Sequence, residues 1–287
     1  MKNEERKYYS LGEKTILWCV FVFFAIYALT LLIPFVWAFL NSLKTNAEYF
    51  IDPFGLPKKA HFENYLSAFT ELNVYGHNLV DMFINSIILT LGGTIVSTIV
   101  ASMTAYVIAK YDFVGRKFLY NMAIFTFIIP IVGNLPATYK LVNDLGLMNN
   151  MGILVLYAGG FGFNFIILHS YFKSIPWSYA EAAFMDGASN FQVFRKVMLP
   201  LARGPITSIA LISGIGIWND YMTPFLYLDE KPTLSLGIYM FQEIMIYKSN
   251  YPLFFAAILI SVLPILIIFI IFQKTIMENT VAGGLKG

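Results

Sequence analysis

Six stretches of this 287-residue chain are almost free of charge: 16–40, 84–109, 118–139, 145–172, 204–228 and 249–273. Only the fifth holds an ionised residue, Asp220. A helix needs about 20 apolar residues to cross a bilayer. Within lipid, a helix is also the form in which one segment satisfies its own backbone N–H and C=O groups. The pattern predicts an all-α membrane protein with six transmembrane helices. Composition agrees, since only 13 % of residues are charged, against about 25 % in soluble domains. The first stretch is longer than a secretory signal core of about 7–15 residues. It ends in Pro34, Trp37 and Asn41 rather than in small residues, so it is read as a retained helix.

Six spans place both termini on one side, and the distribution of Lys and Arg chooses which. Lys2, Arg6, Lys7, Lys14, Lys110, Arg116, Lys117, Lys173, Arg195, Lys196, Arg203, Lys274 and Lys286 fall on the side of the N-terminus. Lys44, Lys58, Lys59, Lys140, Lys231 and Lys248 fall on the other. Thirteen against six predicts cytoplasmic N- and C-termini. Residues 1–15 then form a cytoplasmic N-terminus and 16–287 a single transmembrane domain, with core helices two to six over 84–273.

Several chemistries are excluded at this stage. A net charge of +2 gives no electrostatic drive towards nucleic acid. Cys19 is the single cysteine, and His61, His77 and His169 are widely spaced, so no metal site is expected. The sequence lacks a P-loop, an H-E-x-x-H and a G-x-S-x-G motif. Ion-driven transporters place several ionisable groups inside the membrane, whereas here Asp220 stands alone. The chain reads as a pathway without an energy source of its own and without a bound cofactor.

The connection between the fourth and fifth spans carries the most pattern. Tyr179–Met185 is alanine-rich and helix-forming. Gly187 suits a positive-φ position after a helix, and Ser189 or Asn190 can cap a second one. In that second helix Phe191, Phe194, Val197 and Met198 fall on one apolar face, and Pro200 is expected to break it. The periodicity fits two arrangements: an amphipathic helix on the inner leaflet, or a knob that enters a groove on a partner.

Glu181-Ala182-Ala183, three residues, Gly187, nine residues, Val197-x-Leu199-Pro200 resembles the EAA loop of permease subunits of binding-protein-dependent ABC importers, with Val in place of Ile. Other segments resemble the carbohydrate-uptake branch, in particular its maltose-permease second-subunit type. They are Asn41–Thr45 through Pro53–Pro57 to Phe62–Tyr65, then Asn85-Ser86, Trp218-Asn219-Asp220, Thr233–Gly237 and the tail Ala282–Gly287. The resemblance implies a sugar importer with a homologous sister permease, two cytoplasmic ATPase subunits that hold ATP and magnesium, and an extracytoplasmic solute-binding protein. It implies that the EAA helix is a coupling helix docking on the ATPase through Glu181, Ala182, Ala183 and Gly187, with Leu199 and Pro200 re-entering the membrane. It also implies that the tail, with Gly283, Gly284 and Lys286, reaches the ATPase interface, where an ordinary frayed terminus is the alternative. Localisation is then the plasma or inner membrane.

Candidate pathway residues follow from chemistry. Trp218, Asn219, Asp220 and Tyr221 offer the planar polar groups and aromatic faces that a sugar needs, about 21–24 Å along a helix starting near Gly204. The other reading of Asp220 is a carboxylate that caps or pairs with the partner subunit and helps gate the pathway. Asn134, with Tyr139, sits in a Gly- and Pro-interrupted stretch that can open backbone groups to a cavity. Asn164 is a further candidate, with an interhelical hydrogen bond as the alternative. His169 reads as a packed or interfacial histidine. Two other readings of the whole chain compete: the same architecture importing a polyol, glycerol phosphate or other solute, and a membrane-embedded enzyme or sensor. The last lacks both a titratable cluster and a signalling domain.

Overall fold

The computed structural model describes residues 10–128, 134–248 and 250–282. Helix α1 (Leu11–Ser42) precedes the short α2 (Asn46–Ile51) and α3 (Glu63–Glu71) and a minimal hairpin, β1 (Asn73–Val74) with β2 (His77–Asn78). Then come α4 (Leu79–Lys110), α5 (Arg116–Ile128), α6 (Leu135–Asp144), a 3-10 helix over Met151–Tyr157 and α7 (Phe163–Ser174). α8 (Ser178–Met185) and α9 (Asn190–Val193) lead into a π-helical turn over Phe194–Met198. The chain continues through α10 (Leu199–Leu201), α11 (Arg203–Asn219), α12 (Met222–Tyr227), α13 (Leu234–Lys248) and α14 (Tyr251–Ala282).

Among the described residues, α1, α4 and the Tyr251–Thr275 part of α14 are long and apolar enough to cross a membrane. A fourth candidate is the bent pair Asn190–Leu201 and Arg203–Asn219, whose parts lie 80° apart. The chain is therefore a largely helical membrane protein with three or four such elements. The third and fourth apolar runs, expected as continuous spans, are subdivided. α5 ends at Ile128 and α6 starts at Leu135, with 129–133 outside the described residues. The fourth run is split between the 3-10 helix and α7 by a glycine-rich break in which Gly162 has φ +137. Such breaks in apolar surroundings need other partners for the freed backbone groups. Here the Thr104 hydroxyl of α4 donates to the Gly160 carbonyl at 3.0 Å.

Two compact units divide the chain: Met1–Ala68 with Met245–Leu259, and Phe69–Ile244 with Ile260–Gly287. In the first, α1 starts in a capping box, Ser10 with Glu13, and turns an almost wholly apolar surface outward, Phe21, Phe23 and Ile33 included. After α1 the chain folds back on itself. Asn64 donates to the carbonyls of Ser42 at 2.8 Å and Lys44 at 2.9 Å, and Ser42 meets Tyr65. The buried Lys44 ammonium donates to the Asp52 carbonyl.

In the second unit, the Asn78–Asp81 capping box starts α4, and α4 packs against α7 and α11. Ala101, Ala105 and Ala109 lie on the buried side of α4, against Phe165, Leu168 and Phe172 of α7. Small residues matter because lipid tails are as apolar as Leu, so helices in a bilayer are held by close packing and polar contacts rather than by exclusion of water. At Gly93 an added Cβ would stand 3.0 Å from the side chains of both Ile217 and Tyr157.

Candidate coupling loop and intramembrane polar sites

The segment between α7 and α11 is built as a helix, a turn and a second helix. α8 carries Glu181 in its first turn. Gly187 follows with φ +81, the left-handed conformation expected of it. Ser189 caps α9 in a full capping box, its hydroxyl accepting from the Gln192 N–H while the Gln192 side chain accepts from the Ser189 N–H. Of the expected docking residues, Glu181, Ala182 and Gly187 are exposed, while Ala183 is half-buried against the core. Beside them stand Tyr179, Met185 and Phe191, all exposed, with Met185 at 88 %. The spacing argument did not single out Tyr179 or Met185, though each lies on a short helix with one face turned inward.

Two features of the second helix differ from expectation. Its buried face is Val193, Phe194 and Met198, with Val197 half-buried, whereas Phe191 points out. The helix also continues through Pro200 and bends only at Ala202, which has φ −90 and ψ 8. A proline inside a helix removes one backbone donor and crowds the preceding turn. The π-helical turn at 194–198, closed by the Leu199 N–H on the Phe194 carbonyl, widens the helix immediately before it.

The loop is braced to the end of α4. The Tyr106 ring lies 5.0 Å from Phe194 and 5.6 Å from Phe172. Tyr111 packs edge-on to Trp177, and its hydroxyl donates to the Asn190 side-chain oxygen at 3.1 Å. Lys110 donates to the Ile175 carbonyl. Tyr171 of α7 reaches the Leu201 carbonyl at 3.2 Å. The exposed tip is thus joined to α4 and α7 through packed aromatic rings and hydrogen bonds.

The candidate pathway residues do not form one cluster. Trp218 is buried, its indole N–H donates to the Ser261 carbonyl at 3.2 Å, and its ring meets Phe83. Asn219 is exposed and donates to the Ile215 carbonyl of its own helix. Asp220 ends α11. Its carboxylate accepts from the Tyr157 hydroxyl at 3.1 Å and from the Thr223 N–H at 3.0 Å, while its carbonyl accepts from Ser235. Tyr221 stacks on Tyr239 with ring centroids 4.6 Å apart. Asn134 is exposed before α6 and makes no capping hydrogen bond. Asn164 donates to Ser213 at 2.8 Å and Ser97 at 3.3 Å, joining α7 to α11 and α4. His169 is buried between Tyr120 and Phe165. The tail residues Gly283, Gly284 and Lys286 lie outside the described residues.

Two segments remote in sequence prove to be partners. The Asn85 amide donates to the Pro232 carbonyl at 3.0 Å, and the Ser86 hydroxyl accepts from the Leu234 N–H at 2.7 Å. The turn before α13 is therefore pinned onto the second apolar helix. Glycine leaves room beside it: a Cβ on Gly237 would lie 2.3 Å from the Met82 sulfur, so the Met82 side chain would have to shift.

Comparison with known proteins accords with this architecture. The chain is 32 % identical to the diacetylchitobiose uptake system permease protein NgcG of Streptomyces coelicolor, over 98 % of this chain and 90 % of that protein. It is 27 % identical to the arabinooligosaccharides transport system permease protein AraQ of Bacillus subtilis, over 93 % of this chain and 94 % of that one. It is likewise 27 % identical to the probable starch degradation products transport system permease protein AmyC of Thermoanaerobacterium thermosulfurigenes, over 88 % and 91 %. Among solved structures, a chain of a bacterial ABC transporter involved in the import of the acidic polysaccharide alginate superposes with a TM-score of 0.76 at 27 % identity. That match covers 93 % of this chain and 98 % of the other. Residues 93–277, from the middle of α4 into α14, match the model of one family, and the chain belongs to it: the binding-protein-dependent transport system inner membrane components.

Proposed function

We propose that this chain is one of two homologous subunits that form the pathway of an ATP-driven importer for a mono- or oligosaccharide. An extracytoplasmic solute-binding protein delivers the sugar, and two ABC ATPase subunits on the cytoplasmic side hold ATP and magnesium. The chain itself supplies neither catalysis nor a cofactor site. The reading of sugar as the solute rests on the relatives, whose names specify diacetylchitobiose, arabinooligosaccharides and starch degradation products. In this reading residues 1–15 are cytoplasmic and 16–287 form six spans with both termini inside, as the distribution of Lys and Arg favours. The bent and interrupted helices between α5 and α11 then account for spans three to five.

One observation carries the coupling role. Glu181, Ala182 and Gly187 form the exposed tip of a helix pair whose base is fastened to α4. We assign Glu181, Ala182, Ala183 and Gly187 to the ATPase contact, extended by Tyr179 and Met185, with Leu199 and Pro200 at the return to the bundle. A stiff pair of helices moves as one body when its tip is displaced. The tail residues Gly283, Gly284 and Lys286 are assigned a second ATPase contact. Along the pathway, Tyr221, Asn219, Asn134 and Tyr139 are the exposed groups able to meet a sugar, whereas Trp218, Asp220 and Asn164 hold helices together.

The test is reconstitution of the chain with its sister permease, ATPases and binding protein in lipid. ATP hydrolysis should rise when the binding protein is loaded with a sugar, and labelled sugar should accumulate. Stimulation by a polyol or glycerol phosphate in place of every sugar tried would replace the solute and keep the architecture. Hydrolysis indifferent to a loaded binding protein would overturn the importer reading.

A further inference from the structure

A half-open cavity of about 610 Å³ lies between the C-terminal ends of α4 and α7 and the start of α5. Its charged lining is Asp112, Arg116, Lys117 and Lys173. Arg116 is already committed: it pairs with Asp112 and donates to the carbonyls of Ile108 at 2.8 Å and Ala109 at 3.0 Å, closing the end of α4. Lys117 and Lys173 have no ion-pair partner among the described residues. Two uncompensated ammonium groups therefore face one cavity.

A third polar group points the same way. His169 is only 6 % exposed, and what remains open lines this cavity. Its ring is packed against Tyr120 at 4.6 Å and Phe165 at 5.6 Å, yet its nitrogens make no hydrogen bond among the described residues. The part of this imidazole that stays open to the cavity therefore has a free hydrogen-bonding position beside the two ammonium groups. The occupant that suits all three groups is an anion that also accepts or donates a hydrogen bond.

The flank of the cavity indicates the source of that anion. Phe118 lines the opening and is 70 % exposed, and Phe125, two turns further along α5, is 63 % exposed. Residues seven apart share a helix face, so Phe118 and Phe125 stand on one side of α5, with the exposed amide of Asn121 between them at the cavity's edge. Cations above apolar surface is the order of layers at the edge of a bilayer, and basic pockets between membrane helices on the cytoplasmic side take phospholipid headgroups. A small soluble anion would have no use for the phenyl rings.

We propose that this cavity binds a phosphodiester anion presented by an acidic phospholipid of the inner leaflet, held by Lys117, Lys173 and His169, with its acyl chains along Phe118 and Phe125. The site is independent of the transported solute. It lies at the base of the coupling loop, since α7 ends at Ser174 and α8 begins at Ser178.

The assembled importer in nanodiscs of equal phosphatidylglycerol and phosphatidylcholine tests it, with retained lipids counted by native mass spectrometry. The wild type should retain phosphatidylglycerol preferentially, and each lysine removed should lower that preference about fivefold. Lys117→Gln with Lys173→Gln should abolish it, whereas Lys117→Arg with Lys173→Arg should keep it. Lys14→Gln, which removes a cytoplasmic charge outside the cavity, should leave it unchanged. If the double Gln variant fails to assemble, Lys173→Gln and His169→Phe are read singly, and each should reduce the preference. A preference that survives these changes, or that falls equally in Lys14→Gln, overturns the proposal. In pure phosphatidylcholine discs, inorganic phosphate and glycerol 1-phosphate at millimolar concentration should not raise the melting temperature. A rise reversed by Lys173→Gln would assign the cavity to a free phosphate and overturn the lipid source.

Discussion

The Tyr157 hydroxyl donates to the Asp220 carboxylate at 3.1 Å, across 63 positions of sequence. The same carboxylate accepts from the Thr223 N–H and so starts α12 after the end of α11. The one carboxylate of the fifth apolar run is therefore partnered within its own chain, and its geometry is that of a brace.

Tyr157→Phe removes the donor and keeps the ring. A hydrogen bond to a charged group in a half-buried site stabilises by about 1.5–3 kcal/mol. The melting temperature of the assembled importer should fall, while the sugar concentration at half-maximal uptake stays unchanged. A rise in that concentration with no change in melting would instead make Asp220 and Tyr157 sugar ligands.

Gly187→Val should separate ATP hydrolysis from uptake. An added Cβ at Gly187 meets nothing within 4 Å, so the effect comes from the backbone. Positive φ costs a side-chain-bearing residue about 1–2 kcal/mol, and a β-branched residue tolerates it worst. Hydrolysis and uptake measured on the same vesicles should show uptake lost with basal hydrolysis retained. Gly187→Asn should recover most of the uptake, because Asn visits this conformation more readily.

Asn164→Leu breaks the bridge from α7 to Ser97 and Ser213. Interhelical hydrogen bonds of this kind contribute about 0.6 kcal/mol on average and up to about 1.7 kcal/mol. Thermal unfolding in detergent should show a small loss. A loss of uptake with unaltered unfolding would point to a pathway role for Asn164.

Two helical glycines should respond in opposite directions. Gly93→Ala forces a methyl against Ile217 and Tyr157 at 3.0 Å, and overpacking of this sort costs about 1–3 kcal/mol. At Gly216 a Cβ meets nothing within 4 Å, so Gly216→Ala should gain about 0.5–1 kcal/mol of helix stability. Paired melting curves of the assembled importer would check both signs.

Much of the coupling loop was legible in advance because its signals are local. A glycine after an alanine-rich helix and a capping residue at Ser189 or Asn190 are each local signals; Gly187 adopts the positive φ expected of it, and of the two cap candidates it is Ser189 that caps. Pro200 marked the break only to within two residues, since the 80° bend falls at Ala202. Whether a proline breaks a helix depends on whether the preceding turn can widen, and the π-helical turn at 194–198 does so. The apolar length of the third and fourth runs was equally visible. Their subdivision was not, because the break around Gly160 persists through a hydrogen bond from Thr104, 56 positions away.

Hydropathy, charge asymmetry and caps are properties of contiguous segments, so the sequence by itself determined a helical membrane chain with a capped, small-residue loop between its later apolar runs. Which polar groups meet is not such a property. That Asn85 and Ser86 hold the turn at Pro232–Leu234, that Asp220 is braced by Tyr157, and that Lys117, Lys173 and His169 surround one cavity were decided by helix packing alone. In an apolar medium every polar group must find a partner, but the segment that brings it near is chosen by the close fit of small residues along α4.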